Sequence, residues 1–478
     1  MSSKQTWALA LSSIGSFMVA LDALVVTTAL STIRLRLGAS IEQLEWTVNA
    51  YTLSFAVLLM TGSALGDRFG RRRMFVVGLA IFALASAACA LSPNIVWLIV
   101  ARAIQGTGAA LVMPLAVTLL SAAIPPEHRG RAFGLFSGTA GLAVLSGPVV
   151  GGAIAQGIAW QWIFWLNVPI GLATIPFVLG RIEESYGPRT PLDIRGMLLL
   201  SGAVLGIVWG LVRGNIAGWG STEVIAAIAA GVLLAVGFVF WELRARAPML
   251  PMRLFRSRVF TAGNAAGFLF FASLYGSAFF LAQFLQTVQG ASPFGAGLRL
   301  LPWTVVLFAT APISGALINR FGERYLMVVA MLLQGIAMAW IGLVARPGVA
   351  YSALIVPLIV AGFGAAAIPT AQNAVISSVA PSAIGKASGT FSMLRQLGGA
   401  FGVAILAAVF SHAGSFHSAQ AFSDGFSPAM VVSAAFSLLG VFAGLLLPRR
   451  RSAVVEVVDT PTQFAPLAES VGMGAGGN

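Results

Sequence analysis

The sequence predicts an all-α protein that crosses a membrane many times, because its composition and its apolar stretches agree. Of its 478 residues, 58% are apolar and only 9% are charged, and the mean hydropathy is +0.91. A soluble domain carries about 25% charged residues, and a disordered chain has low hydrophobicity, so both classes are excluded. The composition therefore predicts a polytopic membrane protein.

Fourteen apolar stretches have the length of a membrane-spanning helix, which needs ~20 residues to cross the ~30 Å hydrocarbon core of a bilayer. The first stretch is too long to be a signal peptide, and thirteen more follow it. The predicted spans lie at 7–33, 46–66, 74–92, 95–121, 133–157, 162–180, 196–212, 222–241, 260–289, 296–318, 325–345, 350–378, 388–411 and 428–447.

The positive charges predict the orientation, because cytoplasmic loops are enriched in Lys and Arg. With the N-terminus in the cytoplasm, 21 of the 28 basic residues fall on the cytoplasmic side, 5 fall outside, and Arg102 and Arg395 lie within spans. Both termini are therefore predicted to be cytoplasmic. The net charge of +13 is spread over these loops. Since nucleic-acid binding needs a contiguous basic face on a soluble element, nucleic acid is not expected as a partner.

Three sequence blocks repeat at a nearly constant offset. Residues 63–72 match 315–324 at six of ten positions with an offset of 252, and 106–110 and 130–137 repeat at offsets of 256 and 255. Repeated halves are typical of transporters. The repeat predicts two six-helix bundles with an inserted helix pair between them. The predicted boundaries are 1–181 for the N-terminal bundle, 182–258 for the inserted pair and a cytoplasmic loop, 259–447 for the C-terminal bundle, and 448–478 for a disordered cytoplasmic tail.

Asp22 is the only acidic residue deep inside a predicted span. A charge there costs ~2.5–3.5 kcal/mol, which makes it a candidate for function. From the rise of a helix, Asp22 lies ~22 Å from the inner edge of span 1 and Arg102 lies ~10 Å from the outer edge of span 4, so the two share nearly the same level. Two interpretations stay open. The pair is either a static contact that orients helices, or a titratable carboxylate whose proton affinity changes when the arginine moves.

Residues typical of catalytic and metal sites are scarce. Cys89 is the single cysteine, and the three histidines form no cluster with metal-ligand spacing. A membrane-embedded enzyme, the alternative from another class, would rely on surface loops that offer only the isolated His128, His412 and His417. The sequence contains no Gly-rich phosphate loop followed by Lys and Ser or Thr, so ATP is not expected. We therefore expect neither a metal, nor a cofactor, nor an enzymatic activity.

Four motifs follow one another in the first five spans, at residues 21–30, 63–73, 98–108 and 147–152. Together they resemble the motifs of the major facilitator superfamily, and in particular its fourteen-helix drug:proton antiporter branch, over roughly residues 7–447. The resemblance implies a role in proton coupling for Asp22 and Arg102. It further implies a motif between helices 2 and 3 that locks the two halves, and a helix 5 motif characteristic of exporters. The conformational residues it implies are Asp67, Arg68, Gly70, Arg71, Arg72, Gln105, Gly106, Gly147, Pro148, Gly151 and Gly152.

The expected fold has two six-helix bundles around a central cavity, with spans 7 and 8 outside them, and the halves rock so that the cavity opens to each side in turn. The resemblance implies a secondary active transporter of the cell membrane that exports drugs or other small amphiphilic compounds in exchange for protons. An exporter or importer of one metabolite on the same fold is the alternative. The excess of arginine over lysine is typical of GC-rich bacterial genomes.

The expected partners are a small-molecule substrate, protons and the lipid bilayer. The oligomeric state stays open, and a monomer is compatible with the sequence. Polar and aromatic residues on spans 2 and 9 are candidates for the cavity lining, namely Asn49, Tyr51, Asn264, Tyr275, Gln283 and Gln286.

Overall fold

The computed structural model describes residues 3–187, 192–246, 248–380 and 383–448. These residues form helices and their connections, and no β-strand occurs among them. The predicted tail at 448–478 lies outside the described residues except for Pro448. The α-helices are α1 (Ser3–Leu37), α2 (Ile41–Phe69), α3 (Arg71–Ala90), α4 (Ile95–Ala123), α5 (Pro126–Gly157), α6 (Trp162–Trp165), α7 (Asn167–Arg181), α8 (Ile194–Ala217), α9 (Thr222–Arg244), α10 (Arg258–Thr287), α11 (Pro293–Arg299), α12 (Leu301–Phe321), α13 (Glu323–Val344), α14 (Ser352–Phe363), α15 (Ala367–Ser377), α16 (Ile384–Ala413) and α17 (Ala419–Leu445), with 3-10 turns at Met252–Arg256 and Gly364–Ala366.

By length and composition, 12 helical segments of the described chain could cross a membrane. A bent pair, Pro293–Arg299 and Leu301–Thr310 at 43°, raises the number to 13 if the pair is one span. The predicted span at 133–157 coincides with α5, of which Gly141–Gly157 qualifies only as a shorter apolar helix. The predicted count of fourteen is therefore not confirmed. The bend in the pair lies next to Pro302, which has no backbone N–H to continue the helical hydrogen-bond ladder.

Short turns reverse the chain between successive helices. Ser40 begins α2 with a capping box, in which its hydroxyl accepts from Gln43 N–H at 3.2 Å and the Gln43 side chain accepts from Ser40 N–H at 3.0 Å. Gly38 and Gly70 adopt φ of 62° and 106°, a region that favours glycine. We call the side of the molecule with the N-terminus and Gly70 the terminal face, and the side with residues 38–40 the far face.

Helices α1–α7 form one bundle and α10–α17 form the other, and the two meet along two seams. In the first seam α2 packs against α16, and in the second α5 packs against α11 and α12. Each seam thus joins the second membrane-crossing segment of one bundle to the fifth of the other. Helix α1 also contacts α10 and α11 between the seams.

The helices α8 and α9, which we call the accessory pair, lie outside the two bundles. Helix α8 packs along α9 and also contacts α2 and α16, one helix from each bundle. Ala56 of α2, Leu397 of α16 and Val208 of α8 belong to one apolar cluster. On its other side α9 exposes apolar residues such as Val232 and Phe240, which suits a lipid-facing helix. The accessory pair therefore lies on the first seam and bridges the two bundles.

Hydrogen bonds join the bundles near the far face. Ser31 of α1 donates its hydroxyl to Gln286 Oε1 of α10 at 2.6 Å. The backbone N–H of Phe294 in α11 donates to Gln156 Oε1 of α5 at 3.2 Å. In this conformation two contacts therefore hold the bundles together at the far face. One joins α1 to α10, and the other joins α5 to α11 in the second seam.

Candidate functional site

Asp22 of α1 and Arg102 of α4 form a buried ion pair. Arg102 Nη1 lies 2.5 Å from Asp22 Oδ2, and each residue is only 1% exposed. The sequence places the two residues at nearly the same depth, and the structure brings them into direct contact. Removal of one partner from a buried pair costs about 3–5 kcal/mol because it leaves an unpaired charge. Each of the two groups therefore compensates the buried charge of the other.

The second carboxylate oxygen of Asp22 accepts two further hydrogen bonds. Gln105 Nε2 of α4 and Asn167 Nδ2 of α7 each donate to Asp22 Oδ1 at 2.9 Å. Gln105 Nε2 also lies 2.6 Å from Ser86 Oγ of α3. Gln105 belongs to a predicted motif, whereas Asn167 and Ser86 carry no signal in the sequence beyond being polar residues in apolar spans. Three helices of the N-terminal bundle thus meet at one carboxylate, and α3 joins them through Gln105.

Aromatic rings enclose the guanidinium of Arg102. Its Cζ lies 4.2 Å from the ring centroid of Tyr51 and 5.8 Å from that of Phe164, which are cation–π distances. Arg102 Nε also donates to the carbonyl of Thr47 at 3.2 Å. The Tyr51 hydroxyl donates to the carbonyl of Val19 at 3.2 Å. Tyr51, predicted as a cavity-lining residue, therefore lies in the wall of the ion-pair site.

The motif between α2 and α3 holds the segment that leaves the N-terminal bundle. Arg71 Nε donates to Asp67 Oδ1 at 2.8 Å, within the motif itself. The backbone N–H of Arg71 donates to Ser185 O at 2.9 Å, and Gly187 N–H donates to Asp67 O at 3.1 Å. These contacts fix residues 182–187, which lead towards α8, against the terminal face.

Glu184 completes this arrangement at the start of α3. Its Oε1 accepts from the backbone N–H of Arg72 at 2.9 Å, and Arg72 Nη1 donates to Ile182 O at 3.1 Å. A side chain at Gly70 would come within 2.8 Å of the Glu184 carboxylate. Arg68 is exposed and lies over a neighbouring phenyl ring. The resemblance implied a lock between the two halves, whereas the contacts described here join the motif to the segment that precedes α8.

Small residues let α5 approach α1 closely within the N-terminal bundle. A methyl group at Gly147 would lie 2.8 Å from Leu24 Cβ, and one at Gly151 would overlap the α1 backbone. Gly106 serves the same purpose between α4 and α2, because a methyl group there would overlap the α2 backbone. These three predicted motif glycines are therefore needed where the helices that carry the ion pair and its aromatic wall cross.

Two other motif residues on α5 form the second seam. A methyl group at Gly152 would overlap the carbonyl of Pro293 in α11, and one at Gly297 of α11 would overlap the carbonyl of Pro148 in α5. At both contacts a glycine of one helix therefore packs against a backbone carbonyl of the other helix. Pro148 lies inside α5, where it cannot donate a backbone hydrogen bond.

The remaining predicted cavity residues are buried or partly buried. Asn49 has no hydrogen-bond partner for either amide atom, and Asn264 and Gln283 each bond to their own helix and leave one oxygen unpartnered. Gln286 joins the two bundles, and Tyr275 packs over Gly399. Buried polar atoms without partners are uncommon in proteins. Whether these residues line a substrate cavity stays a prediction.

Glu45 is a further acidic residue buried near the start of a spanning helix, and Glu242 near the end of α9 and Glu323 at the start of α13 are buried as well. Glu45 is 3% exposed, and its Oε2 has no hydrogen-bond partner. The predicted span began at residue 46, whereas α2 begins at Ile41. The pattern of Ser40 followed three residues later by Gln43 is a helix-start signal that extends the span over Glu45.

The Asp22 site combines a buried carboxylate with a buried guanidinium in direct contact. In general, an arginine in contact favours the charged form of a carboxyl group and burial favours the neutral form. Arginine itself stays protonated in proteins. Within the described residues, no group of three or more His, Cys, Asp or Glu side chains could hold a metal ion.

Comparison with known proteins identifies the family. Residues 12–403 and 263–474 match the model of the Major Facilitator Superfamily. The first of these matches alone covers more than half of the chain. The chain therefore belongs to the major facilitator superfamily of membrane transporters, as its motifs had indicated.

Two bacterial relatives illustrate the similarity. The chain is 38% identical over 397 residues to the tetracenomycin C resistance and export protein of Streptomyces glaucescens, a match that covers 82% of this chain and 73% of that protein. It is 35% identical over 446 residues to the methylenomycin A resistance protein of Streptomyces coelicolor, which covers 92% of each chain. This chain is similar to both relatives along most of their length.

Solved structures share the fold at low sequence identity. The crystal structure of an auto-inhibited peptide transporter of the POT family has a TM-score of 0.70 at 17% identity, with 95% of this chain and 98% of that chain covered. The crystal structure of the human organic anion transporter MFSD10 has a TM-score of 0.59 at 17% identity, with 93% and 100% covered. At this identity the likeness concerns the fold alone.

Proposed function

We propose that this protein exports drugs or other small amphiphilic compounds across the cell membrane in exchange for protons. Export is supported by the relatives, which are named resistance and export proteins. The observation that carries the proton step is the buried contact between Asp22 and Arg102. It combines a titratable carboxylate with a permanent cation in a site shielded from water.

Proton binding and arginine binding at Asp22 exclude one another in this mechanism. While Arg102 lies against the carboxylate, the negative charge is neutralised and a proton is not needed. When helix movement withdraws the guanidinium, the buried carboxylate loses its counter-charge and takes up a proton. A membrane potential supplies ~2.3 kcal/mol per charge per 100 mV to such a cycle. Movement of the helices and titration of Asp22 are thereby linked.

Alternating access follows from movement of one bundle against the other along the two seams. The distribution of basic residues supports cytoplasmic termini, in which case the terminal face is cytoplasmic and the far face is extracellular. The contacts of Ser31 with Gln286 and of Gln156 with Phe294 then belong to a conformation closed to the outside. Protons enter from outside when these contacts open.

The substrate is proposed to bind between the bundles. The unpartnered buried amide atoms of Asn49, Asn264 and Gln283 are the polar groups available to orient it. Ligand sites combine mostly apolar walls with a few such polar groups. This combination suits small amphiphilic compounds.

The coupling is tested by proton movement in inverted membrane vesicles that hold an established pH gradient. Lipophilic cations and neutral antibiotics are added to vesicles with wild type, Asp22→Asn or Asp424→Asn. Asp424 is a matched control, because it is an exposed acid whose partner is Gln420 at 2.7 Å. A transported compound should collapse the gradient with wild type and with Asp424→Asn but not with Asp22→Asn.

Two other outcomes contradict the proposal in different ways. If Asp22→Asn collapses the gradient as wild type does, Asp22 is a structural residue and the coupling site lies elsewhere. If no compound moves protons through wild type while a metabolite accumulates in cells that express it, the alternative of a metabolite importer is favoured.

A further inference from the structure

A second pair of carboxyl groups, one buried and one partly buried, lies at the terminal-face end of the accessory pair, far along the chain from Asp22. Glu242 is in the last turn of α9 and is 3% exposed, and Asp193 is the N-cap residue of α8. These are the points where the chain enters and leaves the accessory pair. The mechanism proposed above makes no use of them.

Each carboxyl group has one oxygen that is hydrogen bonded and one that is not. Asp193 Oδ1 accepts from the backbone N–H of Gly196 at 2.8 Å and from the indole N–H of Trp241 at 2.7 Å. Glu242 Oε2 accepts from the backbone N–H of Leu250 at 3.1 Å. The other two oxygens, Asp193 Oδ2 and Glu242 Oε1, are buried and have no partner.

The two unpartnered oxygens lie together beside Gly196. A methyl group at Gly196 would be 2.6 Å from Asp193 Oδ2 and 2.8 Å from Glu242 Oε1. A side chain at this position would therefore separate the two carboxyl groups. Glycine leaves the space in which they come together.

No cation neutralises this pair within the described part of the chain. None of the ion pairs found there involves Asp193 or Glu242. Arg195 of α8 stacks over the Trp241 ring at 5.1 Å, so its charge is directed to the indole face. The basic residues on the surrounding elements are all exposed, namely Arg195, Arg244, Arg246, Arg253 and Arg256.

Two ionised carboxylates are strongly disfavoured in such a place, because burial and mutual repulsion both oppose the second charge. A single proton between Asp193 Oδ2 and Glu242 Oε1 would give both oxygens a partner. We propose that Asp193 and Glu242 form a proton-binding site in which the two carboxyl groups share one proton. Asp193 is the carboxylate, since two N–H donors and the start of α8 favour its charged form, and Glu242 is the acid.

The shared proton holds three segments together. Through Asp193 it fixes the first turn of α8 and the indole of Trp241, and through Glu242 it fixes Leu250 in the linker towards α10. Helix α8 in turn contacts both bundles along the first seam. Loss of the proton as the pH at the terminal face rises would place two charges side by side and loosen the accessory pair where it bridges the seam. The site is thus a proton-dependent clamp.

Infrared difference spectroscopy of the full-length protein in lipid vesicles tests for the proton directly. A protonated carboxyl group has a C=O stretching band that disappears on ionisation. Glu242→Gln should lose one such band that wild type shows. Glu223→Gln, at the opposite end of the same helix and with a side chain 45% exposed, should keep it. If Glu242→Gln keeps every carboxylic-acid band of wild type across the pH range, the proposal is wrong.

Hydrogen exchange tests the clamp separately. In Glu242→Gln the side-chain oxygen can still accept from Leu250, and the amide group can donate to Asp193 without a titratable proton. Exchange of the Leu250 amide, corrected for intrinsic base catalysis, should accelerate with rising pH in wild type and stay flat in this variant. The same pH dependence in wild type and Glu242→Gln would overturn the clamp.

Discussion

Asp22 is a residue whose environment comes from distant parts of the chain. Arg102 and Gln105 come from α4, and Asn167 lies 145 positions away in sequence. A hydrogen bond to a charged group contributes about 1.5–3 kcal/mol, so each donor contributes to the stability of the buried ion pair. The stability of the site therefore depends on residues from three helices.

Asn167→Leu should weaken the ion-pair site. The substitution removes one N–H donor to Asp22 Oδ1, at a cost of about 1.5–3 kcal/mol. We expect a lower melting temperature in detergent. Thr174→Val on the same helix is the control, because that hydroxyl donates to Ile170 O of its own helix at 2.6 Å. An equal loss of stability in both variants would show that Asn167 does not support Asp22.

Helix α5 is the element that links the ion-pair site to the seam between the bundles. Gly147 and Gly151 face α1, which carries Asp22, and Gly152 faces α11 of the other bundle. A shift of α5 against α11 is therefore transmitted to the helix that carries Asp22. Packing through glycine permits this because backbones in contact can slide without side chains that interlock.

Gly152→Leu should force the second seam apart at the far face. Its side chain would overlap the α11 backbone, whereas Gly157 on the same helix has nothing within 4 Å. Distances between spin labels at the exposed residues Trp162, just after α5, and Leu298 of α11 should increase with Gly152→Leu and stay unchanged with Gly157→Leu. Equal distances in both variants would show that this glycine does not determine closure.

Glu184 fixes the segment between α7 and α8 to the start of α3. Glu184→Gln should release residues 182–187 by removing a negative charge from a helix N-terminus, which is worth about 0.3–1 kcal/mol. Amide exchange in this segment should accelerate. The neighbouring Glu183 is a matched control, since its side chain is 79% exposed and contacts only the start of α1. If Glu183→Gln has the same effect, the charge at Glu184 is not the cause.

The carboxyl group of Glu183 lies on the terminal face, next to Lys4. The hydrogen bond from Lys4 at 2.6 Å lowers the pKa of Glu183 below its ordinary value. Both side chains are fully accessible to water, so the pair contributes little to stability.

The whole molecule consists of two bundles and an accessory pair that bridges one seam. The excess of positive charge on the loops of one face predicts that this face is cytoplasmic. The single native cysteine, Cys89, is fully buried. The chain is therefore suited to mapping its two faces with single introduced cysteines.

In a Cys89→Ala background, Glu183→Cys at the terminal face and Arg346→Cys at the far face should react from opposite sides. Both positions are exposed. A membrane-impermeant maleimide should label Arg346→Cys in right-side-out vesicles and Glu183→Cys in inverted vesicles. The reverse pattern would place the termini outside. Wild type should stay unlabelled in both, because the Cys89 thiol is enclosed.

The sequence alone predicted the helices, the repeat and the central pair of this site. Apolar stretches must satisfy their own backbone hydrogen bonds in lipid, so their helical structure is a local property. The depth of Asp22 and Arg102 follows from counting residues along two such helices. The same counting missed Glu45, since the end of a span depends on caps as well as on hydropathy.

The tertiary structure decided which side chains meet. Asn167 at the ion pair, Glu184 at the start of α3, and Glu242 beside Asp193 are separated from their partners by tens of residues or more, and Ser86 is separated from Gln105 by 19. Their meeting depends on the rotation of each helix about its axis and on its neighbours, which hydropathy and spacing do not encode. The sequence therefore determined the membrane-spanning class and the central charges, while packing determined the polar contacts that tune them.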